Sequence, residues 1–420
     1  MLSLEQIVRD PETFLAALVR RGEDPPIDRI LELDGRRKAL IQEADTDRAR
    51  RNNVSKAIGN EKRKPTPEEI AEMRETGDRI KTVEAELATV LEELNEILLP
   101  IPNTPLDDVP DGLDEESNVI IRTSEGDTST HGNAHWDIAP ALGILDLEAG
   151  ASISGARFFV LKGKGAKLQR SLAAWMLDVQ TEEHGYTEID PPLLVRGETM
   201  TGSGNLPKFK DNLYRDDESD LWLVPTAEVA LNGLHQGQII DPDTLPLKYV
   251  AQTPSFRKEH TSAGRDVRGI KRVHQFEKVE MFRYVEPEGS EEVLEEMVGE
   301  ATTLCERLGL THRVLKLCAG DIGFQSAKTY DIEVWSPGSA EWLEVSSIST
   351  CTDFQTRRNG TRYRPKKGAS TRLPHTLNGS GLALPRIWIA VIENGLQEDG
   401  SIEIPEVLIP YTGWSRIEAD

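Results

Sequence analysis

The residues best suited to chemistry fall in one stretch, Thr253 to Arg283, which reads TPSFRKEHTSAGRDVRGIKRVHQFEKVEMFR. On an extended chain Arg257 and Glu259 share a face, because successive side chains alternate, so a guanidinium and a carboxylate look into one cavity. A loop follows with Gly264, Arg265, Arg268, Gly269, Lys271 and Arg272, which offers cations and bare backbone to an anion. In the returning run His274, Phe276, Lys278 and Glu280 fall on one face, and Val273, Gln275, Val279 and Met281 on the other. That face holds a ring for stacking and an anion for an ammonium group, with Arg257 available to a phosphate. The same residues also describe an ordinary hairpin with a solvated basic loop, and Arg-x-Glu does not choose between the two.

Three other clusters have the right types. Thr226-Ala227-Glu228 puts a hydroxyl and a carboxylate just after an apolar run, although a Thr before acids is also a common helix cap. Glu344-Val345-Ser346-Ser347 pairs a carboxylate with hydroxyls, a donor set for Mg²⁺ on phosphates, or simply the polar face of a strand. His375 to Arg386, HTLNGSGLALPR, combines small residues that let backbone approach a ligand with Pro385 as a helix opener. Arg386 then lies in a first helical turn, where a cation opposes the helix dipole unless a ligand anion compensates it.

These clusters need a scaffold, and composition bounds it. With 420 residues, 29% charged and 38% hydrophobic, the chain is a folded protein of two domains or one large domain with an appendage. No apolar run reaches the roughly 18 residues of a membrane span, and no secretory signal is recognisable at the amino terminus. Cys305, Cys318 and Cys351 lack paired metal spacing and suit reduced thiols, so a cytoplasmic location is expected. A net charge of -23 excludes a general polyanion-binding surface and confines nucleic-acid contact to local basic patches.

Such a patch lies in the amino-terminal part. One or two short helices are expected over residues 1–24, with a start at Asp10-Pro11-Glu12, followed by two long helical patterns. The first carries Ile27, Ile30, Leu31, Leu40, Ile41 and Ala44 and thins to Val54, Ala57 and Ile58. The second carries Ile70, Met73, Ile80, Val83, Leu87, Val90, Leu91, Leu94, Ile97 and Leu98 at threes and fours, the seam of a coiled coil. Thr66, Pro67 and Glu69 form a capping box with proline at the first helical position, so the helices fold back as an antiparallel hairpin whose second helix alone reaches about 48 Å. Arg48, Arg50, Arg51, Lys56, Lys62, Arg63 and Lys64 crowd its outer half, opposed between 48 and 64 only by Glu61. On so acidic a background a positive tip points to RNA.

A proline-rich linker spans residues 99–117. Beyond it, short strands are expected at Arg157 to Leu161, Leu221 to Val224, Lys248 to Ala251, Asp331 to Trp335 and Trp342 to Val345. Helices are expected at Lys167 to Glu183, Thr226 to Leu234 and Glu291 to Leu308. Without strand–helix alternation the fold class is α+β, an antiparallel sheet flanked by helices. Neither a P-loop nor a Gly-x-Gly-x-x-Gly turn is present.

Taken in order, these segments resemble the seryl-tRNA synthetases of class II in their bacterial form, over essentially the whole chain. Gly185-Tyr186 with Pro192 looks like class motif 1, Phe256-Arg257 through Glu280 like motif 2, and Gly379-Ser380-Gly381 to Arg386 like motif 3. Leu206-Pro207-Lys208-Phe209, Thr226-Ala227-Glu228 and Thr376-Leu377-Asn378 resemble segments particular to the seryl members. The resemblance implies a tRNA-binding domain over residues 1–103, with its arm at about 27–98, and a class II catalytic domain over 104–420. It implies ATP, L-serine and tRNA(Ser) as substrates, tRNA(Sec) as a host-dependent second acceptor, Mg²⁺ without zinc, and a homodimer. By similarity Arg257, Glu259 and Arg386 are catalytic. ATP falls to these with Lys258, Arg272, Val273, Phe276, Glu344, Val345, Ser346 and Ser347, Mg²⁺ to Glu344 and Ser347, and serine to Thr226, Ala227, Glu228, Arg257, Glu280, Asn378 and Ser380. The loop His260 to Lys271 is expected to be a mobile element meeting first ATP and then the tRNA end. Rival readings are a carrier-protein ligase, which would lack the arm, a threonyl or prolyl synthetase, which would need other pocket residues, and a non-catalytic RNA-binding module.

Overall fold

The structure, a computed structural model, describes residues 1–259 and 268–418. The Gly264 and Arg265 part of the expected loop, and residues 260–267 generally, lie outside the described residues. Two compact units form, one from Leu2–Val19 and Glu23–Pro102, the other from Met1, Arg20–Gly22 and Asn103–Asp420. No described helix is long and apolar enough to cross a membrane.

The smaller unit holds α1 (Leu4–Arg9), α2 (Pro11–Val19), α3 (Ile27–Asn60) and α4 (Pro67–Leu98). Asp10 Oδ1 accepts from the Thr13 amide at 3.1 Å, which starts α2. Thr66 and Glu69 form the expected reciprocal capping box at α4. The α4 seam runs through Thr76, Ile80, Val83, Val90, Leu94 and Leu98, all buried, while Ile70 and Leu91 face solvent. On α3 the buried positions include Leu33, Asp34 and Asp47, and Ile41 is exposed. The first seam fades because acids occupy it: Asp34 is held by Arg37 and Lys38, and Asp47 by Arg79 across the hairpin.

The tip is less positive than the sequence of α3 suggests, because α4 supplies acids opposite it. Arg48 pairs with Glu84, Arg50 with Glu72, and Arg63 with Glu69. Arg51, Lys56, Lys62 and Lys64 are exposed and form no ion pair with a described residue.

The larger unit is built on one eight-stranded sheet. Its strands are β1 (Val119–Thr123), β2 (Thr187–Glu188), β3 (Leu247–Phe256), β4 (Gln275–Val285), β5 (His312–Lys316), β6 (Lys328–Ser336), β7 (Glu341–Thr352) and β8 (His375–Ala383). The spatial order is β1-β5-β6-β7-β8-β4-β3-β2. Every pairing is antiparallel except β2 with β3 at one edge. The expected strand at Arg157 shrinks to Val160–Leu161.

The helices that matter to the site are α5 (His135–Ala141), α6 (Gly163–Asp178), α7 (Ala227–Gly233), α8 (Ser290–Arg307), α9 (Phe354–Asn359) and α10 (Leu384–Asn394). One face of the sheet is apolar, where Val279, Met281, Ile332, Val334, Val345 and Ile348 meet Ile387, Trp388 and Val391 of α10. Alternation then turns Phe276, Lys278 and Glu280 of β4 to the opposite face, which carries the pocket. Burying a leucine- or isoleucine-sized side chain is worth roughly 1.5–3 kcal/mol, so this apolar layer fixes the register.

Candidate active site

Phe276, Lys278 and Glu280 line a cavity of about 480 Å³, within the range of nucleotide-sized sites. Its floor is set by strand register. Glu280 stands opposite Ala251 on β3 and Ser380 on β8, and Lys278 stands opposite Thr253 and Ala383.

At one end is a network of buried polar groups. Thr226, at the cap of α7, donates from Oγ1 to Glu280 Oε2 at 3.1 Å, and its hydroxyl also caps the Glu228 amide at 3.3 Å. The helix-cap and binding readings of Thr226 are therefore both satisfied. Lys278 Nζ reaches Thr226 Oγ1 at 2.9 Å and forms an ion pair with Glu280. Glu228 accepts from Gln355 Nε2 at 2.6 Å and Gln325 Nε2 at 3.4 Å. Burial first, and then the charge of Glu280, push the Glu228 carboxyl up to about 7. Gln355 has no freedom to flip: Thr376 donates to its Oε1 at 2.6 Å, so its amide donors face Glu228 and the Ser203 carbonyl. Asn378 and Ser380 complete this end of the wall.

At the other end lie the cations. The Arg257 guanidinium stands 5.1 Å from the Phe276 ring centroid and its Nε donates to Pro225 O at 3.2 Å. Arg386 Nη1 donates to Glu344 O at 2.7 Å and lies 3.2 Å from its carboxylate. Arg272 Nη1 is 3.6 Å from Glu259. Glu259 shares the cavity with Arg257, but not by strand alternation: β3 ends at Phe256, and Glu259 adopts φ +47°. A left-handed turn aims it inward.

A bulge explains how Glu344 and Ser347, three residues apart, both line the pocket. The β6–β7 register shifts between Ile332 and Glu333, which opposes two residues of β7 to one step of β6 around Val345. Burial pushes the Glu344 carboxyl up, but Arg386, then Arg257 and Arg272, win and hold it below its usual range. Asp331 stands opposite Ser347, and its Oδ1 is buried without a hydrogen-bond partner. Burial, then the Glu344 charge, push its carboxyl well above the usual range.

Four of the expected contacts turn away from the pocket. Lys258 Nζ sits 5.6 Å from the Tyr214 ring, while its amide donates to Asn212 O at 3.0 Å. Val345 is in the core, Ser346 Oγ donates to Ser380 O at 2.6 Å, and Ala227 packs with Leu231 and Phe282. Val273, 4% exposed, is both a core residue and part of the lining. Sequence reasoning gives no role to Lys278, Gln325, Gln355 or Asp331. Lys278 was in view on the cavity face, whereas the others come from segments without a motif of their own.

The sheet, the converging arginines and the two carboxylate clusters define a class II synthetase core, and residues 208–395 match the family model "tRNA synthetase class II core domain (G, H, P, S and T)". Residues 1–105 match the "Seryl-tRNA synthetase N-terminal domain" model. A serine–tRNA ligase of Thermomicrobium roseum is 52% identical, covering 98% of this chain and 94% of the relative. One from Roseiflexus sp. is 51% identical, covering 98% of each. Among solved structures, seryl-tRNA synthetase of Pyrococcus horikoshii complexed with ATP aligns with a TM-score of 0.93 at 36% identity over 100% of both chains. The chain belongs to the seryl-tRNA synthetases.

Proposed function

We propose that the pocket activates L-serine with ATP and that the seryl group is then transferred to the 3′ end of tRNA(Ser), with tRNA(Sec) as a host-dependent second acceptor. The observation that carries this is one cavity with two chemically distinct ends, acids with hydroxyls at one and arginines with a ring at the other. A serine carboxylate oxygen attacks the α-phosphorus of ATP, seryl-adenylate forms and pyrophosphate leaves. No protein nucleophile is required, so the chain's contribution is positioning and charge stabilisation. Arg257 holds the α-phosphate beside the serine carboxylate. Phe276 stacks on adenine, with Arg386 on its other face and Glu259 at its edge, and Arg272 meets the γ-phosphate. Thr226, Glu228 and Glu280 take the ammonium, and Ser380 with Asn378 border the hydroxyl.

Mg²⁺ suits the residues present. Among the described residues no three His, Cys, Asp or Glu side chains cluster, but Mg²⁺ characteristically takes few protein oxygens and completes its shell with phosphates and water. Glu344 and Ser347, which both line the pocket, would hold it. Held by these two residues, the ion would supply positive charge to offset that on the phosphates. A cytoplasmic homodimer is part of this reading. It is supported by β1, an edge strand whose Val119, Ile120 and Ile121 are 47%, 51% and 49% exposed.

The decisive variant is Glu280→Ala. Serine-dependent ATP–pyrophosphate exchange should fall by about 10³-fold or more, because Thr226 and Lys278 lose their shared partner and serine its acceptor. Near-normal exchange in a folded variant would sink the assignment.

A further inference from the structure

Outside the pocket, a histidine–carboxylate pair is buried completely and has no part in the chemistry above. His135, first residue of α5, and Glu393, near the end of α10, are both fully shielded from solvent, with Nδ1 to Oε1 at 3.0 Å. The Glu393 carboxylate also accepts from the His135 amide at 2.9 Å, the Gly338 amide at 3.0 Å and the Ser339 amide at 3.2 Å, as well as the Ser336 hydroxyl. Burial alone would raise this carboxyl, but the donors, His135 foremost, hold it below its usual range. The remaining imidazole nitrogen looks the other way: His135 Nε2 accepts from the Ile270 amide at 3.2 Å.

These partners settle the tautomer. A carboxylate only accepts and an amide N–H only donates, so His135 is neutral, protonated on Nδ1 with a lone pair on Nε2. It bridges α10 to the backbone just before Lys271 and Arg272. The approach is so close that a Cβ on Gly269, at φ +67°, would lie 1.9 Å from His135 Nε2. A Cβ on Gly338 would lie 2.2 Å from Asn133 O and 2.8 Å from the Glu393 carboxyl carbon. Two glycines are thus needed to bring this histidine and this carboxylate together with the segment. Trp136, next along, stands 4.7 Å from the Arg268 guanidinium and 5.0 Å from Lys271 Nζ.

We propose that His135 is a positioning residue for ATP: braced by Glu393, it fixes the Ile270 backbone and so sets where Lys271 and Arg272 enter the cavity. The proposal rests on the reading of Arg272 as the γ-phosphate ligand. It makes a selective prediction: an AMP moiety, held by Arg257 and Phe276, meets the anchored segment indirectly, through Arg386 Nε on Lys271 O at 3.4 Å and Glu259 beside Arg272, whereas the γ-phosphate of ATP meets Arg272 itself.

The test is direct titration of the full chain with ATP and, separately, with AMP, alongside amide exchange at Ile270. His135→Leu keeps bulk but removes both hydrogen bonds and should weaken ATP about tenfold while leaving AMP within twofold. His135→Gln, whose side-chain oxygen can still accept from Ile270, should recover part of the loss. Gly269→Ala keeps His135 and Glu393 but forces the segment away, so it should reproduce the ATP-selective loss and raise Ile270 exchange even if the His135 variants fold poorly. Equal weakening of ATP and AMP would reduce His135 to a structural role and overturn the proposal. The two ways of failing are separable. A native chain that binds ATP no more tightly than AMP overturns the γ-phosphate reading and this inference with it. A native preference for ATP kept in full by His135→Leu and Gly269→Ala overturns the anchor alone.

Discussion

The arm and the pocket both pair cations with carboxylates, and exposed and buried pairs do opposite things. On the arm, Arg36 and Glu86 are 49% and 46% exposed, so their attraction is screened and offset by the entropy of two long side chains. In the pocket, Lys278 and Glu280 are 10% and 1% exposed, and neither can relax into water. Charges there persist only because each has a partner, and removing one partner strands the other. The arm's exposed pairs decorate a seam held largely by leucines and valines, whereas the pocket's pairs are the site itself.

The contrast can be broken first at the arm tip, where four cations form no ion pair with a described residue. Replacing Arg51, Lys56, Lys62 and Lys64 together by Glu should lower kcat/KM for tRNA charging by about 100-fold, with a weaker salt dependence than the parent. Serine-dependent exchange should stay unchanged. A parallel loss in both assays would show that the tip serves the catalytic unit and not RNA.

A smaller effect sharpens the pocket side. The Glu228 carboxyl, raised to about 7, keeps its proton in the folded chain at pH values where the unfolded chain has released it. Its contribution to stability is therefore present below the ordinary carboxylate range and lost as pH rises through about 7. Serine binding runs the other way, because an ammonium prefers the ionised carboxylate. KM for serine should rise by up to about tenfold per unit as pH falls below that value, and Glu228→Gln should flatten the profile. A pH-independent KM in the parent chain would remove Glu228 from serine recognition.

The smallest effect is on the exposed pair. Arg36→Ala should change stability by less than about 1 kcal/mol in a chemical melt and leave both activities alone. A loss several times larger would mean that the arm's ion pairs carry weight that their exposure denies them.

How far these regions were legible in sequence follows the same division. The arm is a local object, so helical period, capping box and turn could be read directly; Asp34 and Asp47 were missed because acids interrupt the apolar pattern. The pocket is assembled from residues far apart in the chain. Alternation correctly put Phe276, Lys278 and Glu280 on one face, but it could not show the left-handed turn at Glu259 or the bulge that brings Glu344 and Ser347 to the same side. Lys258, Val345, Ser346 and Ala227 entered the expected site as sequence neighbours of residues that line it, and alternation or capping turns each elsewhere. Gln355, which locks Glu228, sits on a short helix whose sequence carries no motif, and only register and packing bring it there.

The most direct test of the account is ATP–pyrophosphate exchange measured with each of the twenty amino acids in turn. The account predicts exchange with serine, weak or none with threonine and alanine, and none without amino acid. Exchange driven by a different amino acid, or none with serine, would contradict it.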